Sequence, residues 1–151
     1  PYRRQRQMCI RDSLYLAIYG QKKVIIRPHF AMKPVFYEAN SLVRENSRQM
    51  SLVCGPLVYC LEEVDNGAQQ HMLYASPEAV EQAETYTLPF LGREAVGYQF
   101  AGFRKKANTV SDPLYHKAER EEYQPVTLKW IPYFAWANRE EGEMRVWIYK
   151  K

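Results

Sequence analysis

The stretch from Leu128 to Trp147 sets the tightest limits on what this chain can become. Up to Asn138 five of eleven positions are aromatic or β-branched, the residue types that suit a pleated, half-buried surface. A polar turn follows, Arg139-Glu140-Glu141-Gly142, with Gly142 placed where a left-handed backbone costs little. Met144, Val146 and Ile148 then alternate with Arg145, Trp147 and Tyr149, a period of two. The pattern predicts one β-hairpin in which residues 128–138 pair antiparallel with residues 143–149. Trp136, between the small Ala135 and Ala137, is expected to be mostly buried.

The rest of the chain reads the same way. Gly and Pro turns separate short aromatic-rich segments, which favours strands over helices. Strands are predicted at Val35–Ala39, Thr85–Leu88 and Ala95–Phe103. Met50–Cys54 and Leu57–Leu61 are apolar without alternation, as strands covered on both faces are, and Gly55-Pro56 bends the chain between them. Glu62 to Gly67 closes that block in a turn, and Asn66-Gly67 is its strongest signal. Ser76 to Glu84 has a capping serine, Pro77 at the first helical position and acidic residues near the positive end, so a short helix is predicted. Arg104 to Glu122 is polar and reads as a surface loop. The fold class is therefore all-β, an antiparallel β-sandwich with at most one short helix. Its domain occupies residues 34–151, after a strand pair within 13–33 that reads as the end of a preceding sandwich.

The formal charge of +4 is unevenly placed. Arg3, Arg4, Arg6 and Arg11 face only Asp12 within residues 1–12, so the body is close to neutral. A nucleic-acid footprint spreads over a folded face, so no nucleic-acid partner is expected. The opening residues resemble translated sequencing-adapter read-through and are expected to be non-native or disordered. No apolar run approaches the ~20 residues of a membrane span, and no secretory core is visible. No membrane partner is expected. Three cysteines lean toward a reducing, cytoplasmic compartment rather than a periplasmic or secreted one.

Two blocks carry a resemblance. The first is Val43-Arg44-Glu45-Asn46, then Gly55-Pro56-Leu57-Val58-Tyr59-Cys60-Leu61-Glu62, then Val64-Asp65-Asn66. The second is Ile131-Pro132-Tyr133-Phe134-Ala135-Trp136-Ala137-Asn138-Arg139, followed by Gly142-Glu143-Met144 and Val146-Trp147. Together they resemble the C-terminal region of glycoside hydrolase family 127, bacterial enzymes similar to β-L-arabinofuranosidases. The resemblance covers residues from about Phe30 to the end. It implies a larger parent in which an N-terminal (α/α)6 barrel holds a cysteine nucleophile and a glutamate beside a cysteine-bound zinc. No barrel is visible in this chain, and no adjacent cysteine pair, so no catalytic residue carries over. Where the family has an arginine before Gly-Pro, this chain has Cys54. The resemblance implies a non-catalytic accessory sandwich, with the parent's barrel or a second subunit as partners.

Cys54 and Cys60 have no zinc spacing and read as buried thiols acting as small hydrophobes. No metal or cofactor is expected in this chain. His29, His71 and His116 are too dispersed for a catalytic argument, and they read as solvated or singly hydrogen-bonded imidazoles. Glu62, Glu63 and Asp65 read as a solvated turn cluster. The aromatics Trp130, Tyr133, Trp136 and Trp147 are the candidates for ligand or interdomain contact. Strand alternation puts Tyr133 and Trp136 on opposite faces, so core and interdomain packing is favoured over a carbohydrate-binding module with surface aromatics. Exposure of Trp136 beside Tyr133, with no loss of stability on its removal, would mark the hairpin as a binding surface instead.

Overall fold

The computed structural model describes residues 32–109, 111–118 and 120–151. The opening expected to be non-native or disordered, and the strand pair expected before the domain, lie outside these residues, apart from Met32 and Lys33, which lead into β1 without a strand of their own.

Alternating and doubly apolar segments become strands much as their patterns dictate. They are β1 (Pro34–Glu38), β2 (Gln49–Cys54), β3 (Leu57–Glu62), β4 (Leu73–Ala75), β5 (Glu84–Phe90), β6 (Arg93–Lys105), β7 (Tyr123–Pro132), β8 (Met144–Arg145) and β9 (Trp147–Lys150). The all-β class stands. Helical structure is divided among one α-turn, α1 (Glu63–Asn66), and 3-10 turns at Gln70–Met72, Pro77–Gln82 and Tyr133–Ala135. The helix predicted after Ser76 forms as the 3-10 turn, with Pro77 at its start and no side-chain cap from Ser76.

Gly55, with φ at +58°, turns β2 directly into β3, and the two strands pair only next to this turn, through Val53 with Val58 and Cys54 with Leu57. They then splay apart, and residues 144–150 enter the gap. β8 pairs with β3 (Arg145 opposite Leu61), and β9 pairs with β2 (Ile148 opposite Met50). β9 also runs parallel to β4, the parallel pair in a sheet whose other ladders are antiparallel. β4 joins β6, β6 joins β7, and β7 returns to β3. The ladders thus close into a ring, β2-β9-β4-β6-β7-β3, with β1 added on β2 and β5 on β6.

The predicted hairpin does not form. β7 takes β6 and β3 as neighbours, while residues 144–150 pair with β3, β2 and β4. Period two decides which face a strand buries, but it is silent on the partner, and the partners here are distant in sequence.

Every strand of the ring sends alternate side chains into one core: Met50 and Leu52, Tyr59 and Leu61, Leu73 and Ala75, Tyr98 and Phe100, Leu128 and Trp130, and Ile148. A second cluster lies on the other face of β3 and β7, where Cys60 and Ile131 meet Leu88, Ala95 and Ala135. β2 and β3 therefore are buried on both faces over most of their length, as their unbroken apolarity indicated. Phe100 and Trp130 lie near-parallel, 6.0 Å apart at 17°, and Phe36 meets both edge-on.

Candidate functional site

The two blocks of sequence that carry the family resemblance meet in one joint. β3 ends at Glu62, and α1 starts at the next residue, so one turn of helix brings Asp65 alongside Glu62. Arg139 reaches both carboxylates: Nη2 pairs with Glu62, and Nη1 donates to Asp65 Oδ1 at 3.2 Å. The second oxygen of Glu62 accepts the Ala137 amide at 2.8 Å. Hydrogen bonding to Asp65, and next to Glu62, pushes the already high Arg139 pKa further up. The expectation of a solvated acidic turn is therefore corrected. Glu62 is only 4% exposed, because the chain leaving β7 folds back across it.

Further bonds fasten the same joint. Asn66 donates to the Lys129 carbonyl at 2.9 Å and accepts the Lys129 amide at 2.9 Å, so its side chain acts as one more strand residue on β7. Glu63 and Glu143 exchange two bonds: the Glu63 amide donates to the Glu143 carbonyl at 2.9 Å, and the Glu143 amide donates to Glu63 Oε2 at 2.8 Å. The Glu143 carboxylate accepts the Gln70 amide at 2.8 Å, which holds it below the usual carboxylate range. Gly142 is required here for closeness, since a Cβ on it would lie 2.9 Å from Glu63 Cβ. The left-handed residue of this segment is Ala137, at φ +59°, and not Gly142 as the turn reading had it.

The joint presents residues 133–138 as a strap over the second core cluster. Pro132 ends β7, and the chain makes a 3-10 turn from Tyr133 to Ala135. In such a turn residues three apart eclipse, which puts Tyr133 and Trp136 side by side, 6.1 Å between ring centres and 27° between planes. Strand alternation would have separated them. Asn138 Nδ2 holds the turn by donating to the Ala135 and Trp136 carbonyls at 3.0 and 2.9 Å. Tyr133, Phe134 and Trp136 remain 47%, 51% and 41% exposed, while Ala135 is buried beneath them. Phe134 leans edge-on against Phe90 of β5.

The structure thus separates the four aromatic candidates. Tyr133 and Trp136 are brought together and exposed, which corrects the expectation that Trp136 is buried. Trp130 is wholly enclosed and has no face to offer a ligand. Trp147 is half-buried in β9, away from the strap in the ladder. The sequence reading missed Arg139 and Asn66 as anchors, although both stand inside the resemblance blocks.

Cys54 and Cys60 do not form a zinc set, and Cys9 lies outside the described residues. Cys54 lies in the main core with its sulfur 3.3 Å from the Tyr98 hydroxyl, and Cys60 faces the second cluster. Both are free thiols. Burial, then the charge of Glu62, pushes the Cys60 thiol up to about 12, the opposite of what a nucleophile or metal ligand needs. His71 and His116 are exposed, and His29 lies outside the described residues. Among the described residues no group of three His, Cys, Asp or Glu side chains could hold a metal. The zinc of the resemblance has no fitting donors in the described domain.

These features define an all-β domain that holds an ordered aromatic strap on an ion-paired joint. Residues 34–149 match the family model described as the glycoside hydrolase family 127 C-terminal domain, and the chain belongs to that family. It is 34% identical over 136 residues to a non-reducing end β-L-arabinofuranosidase of Bifidobacterium longum subsp. longum, covering 88% of this chain and 20% of that protein. Its fold superposes on a GH127 β-L-arabinofuranosidase from Geobacillus stearothermophilus T6 with a TM-score of 0.72 and 36% identity, over 82% of this chain and 19% of that one. A second GH127 β-arabinofuranosidase, BT3674, gives a TM-score of 0.65 at 29% identity, over 82% of this chain and 18% of that one. The chain therefore spans about a fifth of the length of these relatives.

Proposed function

We propose that this domain is the non-catalytic C-terminal accessory sandwich of a glycoside hydrolase that resembles a retaining β-L-arabinofuranosidase. Its task is to pack against the catalytic (α/α)6 barrel through the strap. One observation carries the reading: three large aromatics stay exposed on a strap that is anchored by an arginine bridging two carboxylates, one of them almost fully buried. Aromatic surface fixed in place loses little side-chain freedom on docking, and such residues dominate interface energetics. Zinc and the nucleophile belong to the barrel in this scheme, and the buried free thiols of this domain fit a reducing compartment.

The test uses the complete parent enzyme. Tyr133→Ala with Trp136→Ala should split its melting into two transitions and open the junction to limited proteolysis, with the sugar site itself untouched. A single unchanged transition would remove the strap from the interdomain contact. The chain alone should not hydrolyse aryl β-L-arabinofuranosides with or without zinc and reductant; zinc-dependent turnover by pure protein would overturn the accessory role.

The near-parallel rings of Tyr133 and Trp136 favour a second reading, a carbohydrate-binding surface on the same strap. It requires that arabinan protect the strap from modification in the isolated domain. Failure of that protection leaves docking as the role.

A further inference from the structure

A separate feature lies at the edge where β9 meets β2 and β4. Tyr74 on β4 and Tyr149 on β9 are direct neighbours in the parallel ladder, their rings 5.4 Å apart at 27°. Tyr123 at the start of β7 stands nearly perpendicular to Tyr74, 5.0 Å away at 80°. All three are only half-buried, so they form a floor and a wall on the sheet surface. They line a cavity of about 270 Å³ together with Ser47, Arg48 and Glu121. A larger cavity of about 460 Å³ adjoins it and brings Asn40, Ser41, Asn46 and Gln49. The two share Ser47, Arg48, Lys150 and Lys151, so they are parts of one groove. None of these residues belongs to the strap or its joint.

The backbone at the junction is itself unusual. Arg48 sits at φ +58°, a conformation that non-glycine residues avoid. It is held there by its carbonyl, which accepts the Lys150 amide at 2.9 Å. Backbone strain of this kind gathers at ligand clamps, where the surroundings over-determine it.

We propose that this groove, with Tyr74, Tyr123 and Tyr149 as its aromatic end and Asn40, Ser41, Asn46 and Ser47 as its polar end, binds a short neutral oligosaccharide. The rings pack on one another, and Arg145 lies over Tyr149; the apolar edges they leave half-exposed meet the C–H groups of a sugar, and their hydroxyl ends suit a wet boundary. The amides and hydroxyls supply donors and acceptors in the number that sugar hydroxyls demand. Together the two cavities fall within the ~300–1,000 Å³ range of small-ligand sites. The charges argue for a neutral ligand. Lys150 pairs with Glu38 at 2.6 Å, and Glu121 pairs with Lys105 at 2.5 Å. The lining sets Arg48, Lys150 and Lys151 against Glu38 and Glu121, so its charges nearly balance and favour neither a polyanion nor a polycation. The place of a cationic ligand is already taken by Lys151, whose ammonium lies 3.4 Å from the Phe103 ring centre and 4.5 Å from that of Tyr123.

Calorimetric titration of this chain with arabinotriose and, in parallel, xylotriose tests the site. At least one trisaccharide should bind saturably at millimolar concentration. Tyr74→Ala should weaken that binding by about tenfold or more. Ser47→Trp, which fills the junction from an exposed position, should abolish it without moving the melting temperature. Asn46→Ala serves as a further groove variant should Tyr74→Ala fail to fold. Tyr133→Ala and Trp136→Ala should leave binding unchanged, which keeps this result separate from the fate of the strap. Absence of binding by both sugars overturns the proposal. So does binding that survives Ser47→Trp or is lost with Trp136→Ala.

Discussion

Arg139 bridges Glu62 and Asp65 across more than 70 residues of sequence, with its guanidinium partly enclosed and Glu62 almost entirely so. Removing it strands a buried carboxylate, and breaking such a pair from one side costs about 3–5 kcal/mol. Arg139→Ala should therefore lower the urea midpoint by a large fraction of the total stability. A shift within experimental error would show that the joint is dispensable. The tryptophans divide in the same terms. Trp130→Ala empties a closed core site and should cost about 3–5 kcal/mol, whereas Trp136→Ala should stay within about 1 kcal/mol, as a change on an exposed surface does. Equal melting shifts for the two would contradict the burial seen here. Alkali gives a third residue-level test. Burial pushes Tyr59 up to about 12 from its ordinary 10.0, and Cys60 up to about 12 from 9.0. The unfolded chain releases these protons at lower pH than the folded one, so their contribution is complete below the ordinary values and lost as pH rises toward 12. Denaturant midpoints should fall steadily from about pH 9 to 11, and Cys60→Ala should flatten the thiol part of that slope. A flat profile in the parent chain would rule the contribution out.

The β5–β6 ladder shows which parts of the fold local sequence can announce. Its strands are joined by Leu91-Gly92, both left-handed at φ +46° and +74°, as a two-residue hairpin turn requires. Strands were expected on both sides, at Thr85–Leu88 and Ala95–Phe103, and the partners are adjacent in sequence. The Gly55-Pro56 bend was evident for the same reason. Residues 143–149 were also read correctly as extended, yet were given the wrong neighbour, because β9 finds β2 and β4 far upstream. The strap was misread for a different reason: its apolar residues fit a strand, but Pro132 removes a ladder donor and the 3-10 turn replaces period two by period three. Its exposure depends on Glu62 and Asp65, which no local pattern links to Arg139. Leu91 is the residue that the β5–β6 turn tolerates least. A side chain other than Asn, Asp or Gly in the left-handed region costs about 1 kcal/mol, and Leu91 makes no compensating burial at 80% exposure. Leu91→Asn should raise the melting temperature, and a lowered value would mean that Leu91 serves a contact beyond the turn.

Closure of the ladder ring makes the last strand the piece on which the molecule depends. β9 lies between β2 and β4, and Ile148 is fully buried among residues of every other strand in the ring. β4 has only Leu73 and Tyr74 in register with β6 on its other side, so without β9 it is held by a two-residue ladder. β2 and β3 would likewise be left splayed, with the backbone groups of Gln49, Met50 and Ser51 unpaired along a buried edge. Buried unpaired backbone is costly, and an opened edge is a template for aggregation. A chain ending at Val146 should therefore lose its cooperative transition and its near-ultraviolet aromatic dichroism, rather than fray at one end. Had residues 128–138 and 143–149 formed an isolated hairpin, the same deletion would loosen only its partner strand. The synthetic segment Trp147–Lys151, added to the shortened chain, should restore the dichroism by strand addition, since the slot between β2 and β4 accepts backbone bonds from both sides. A truncated chain that still unfolds in one sharp transition would show that the ring holds without its last member.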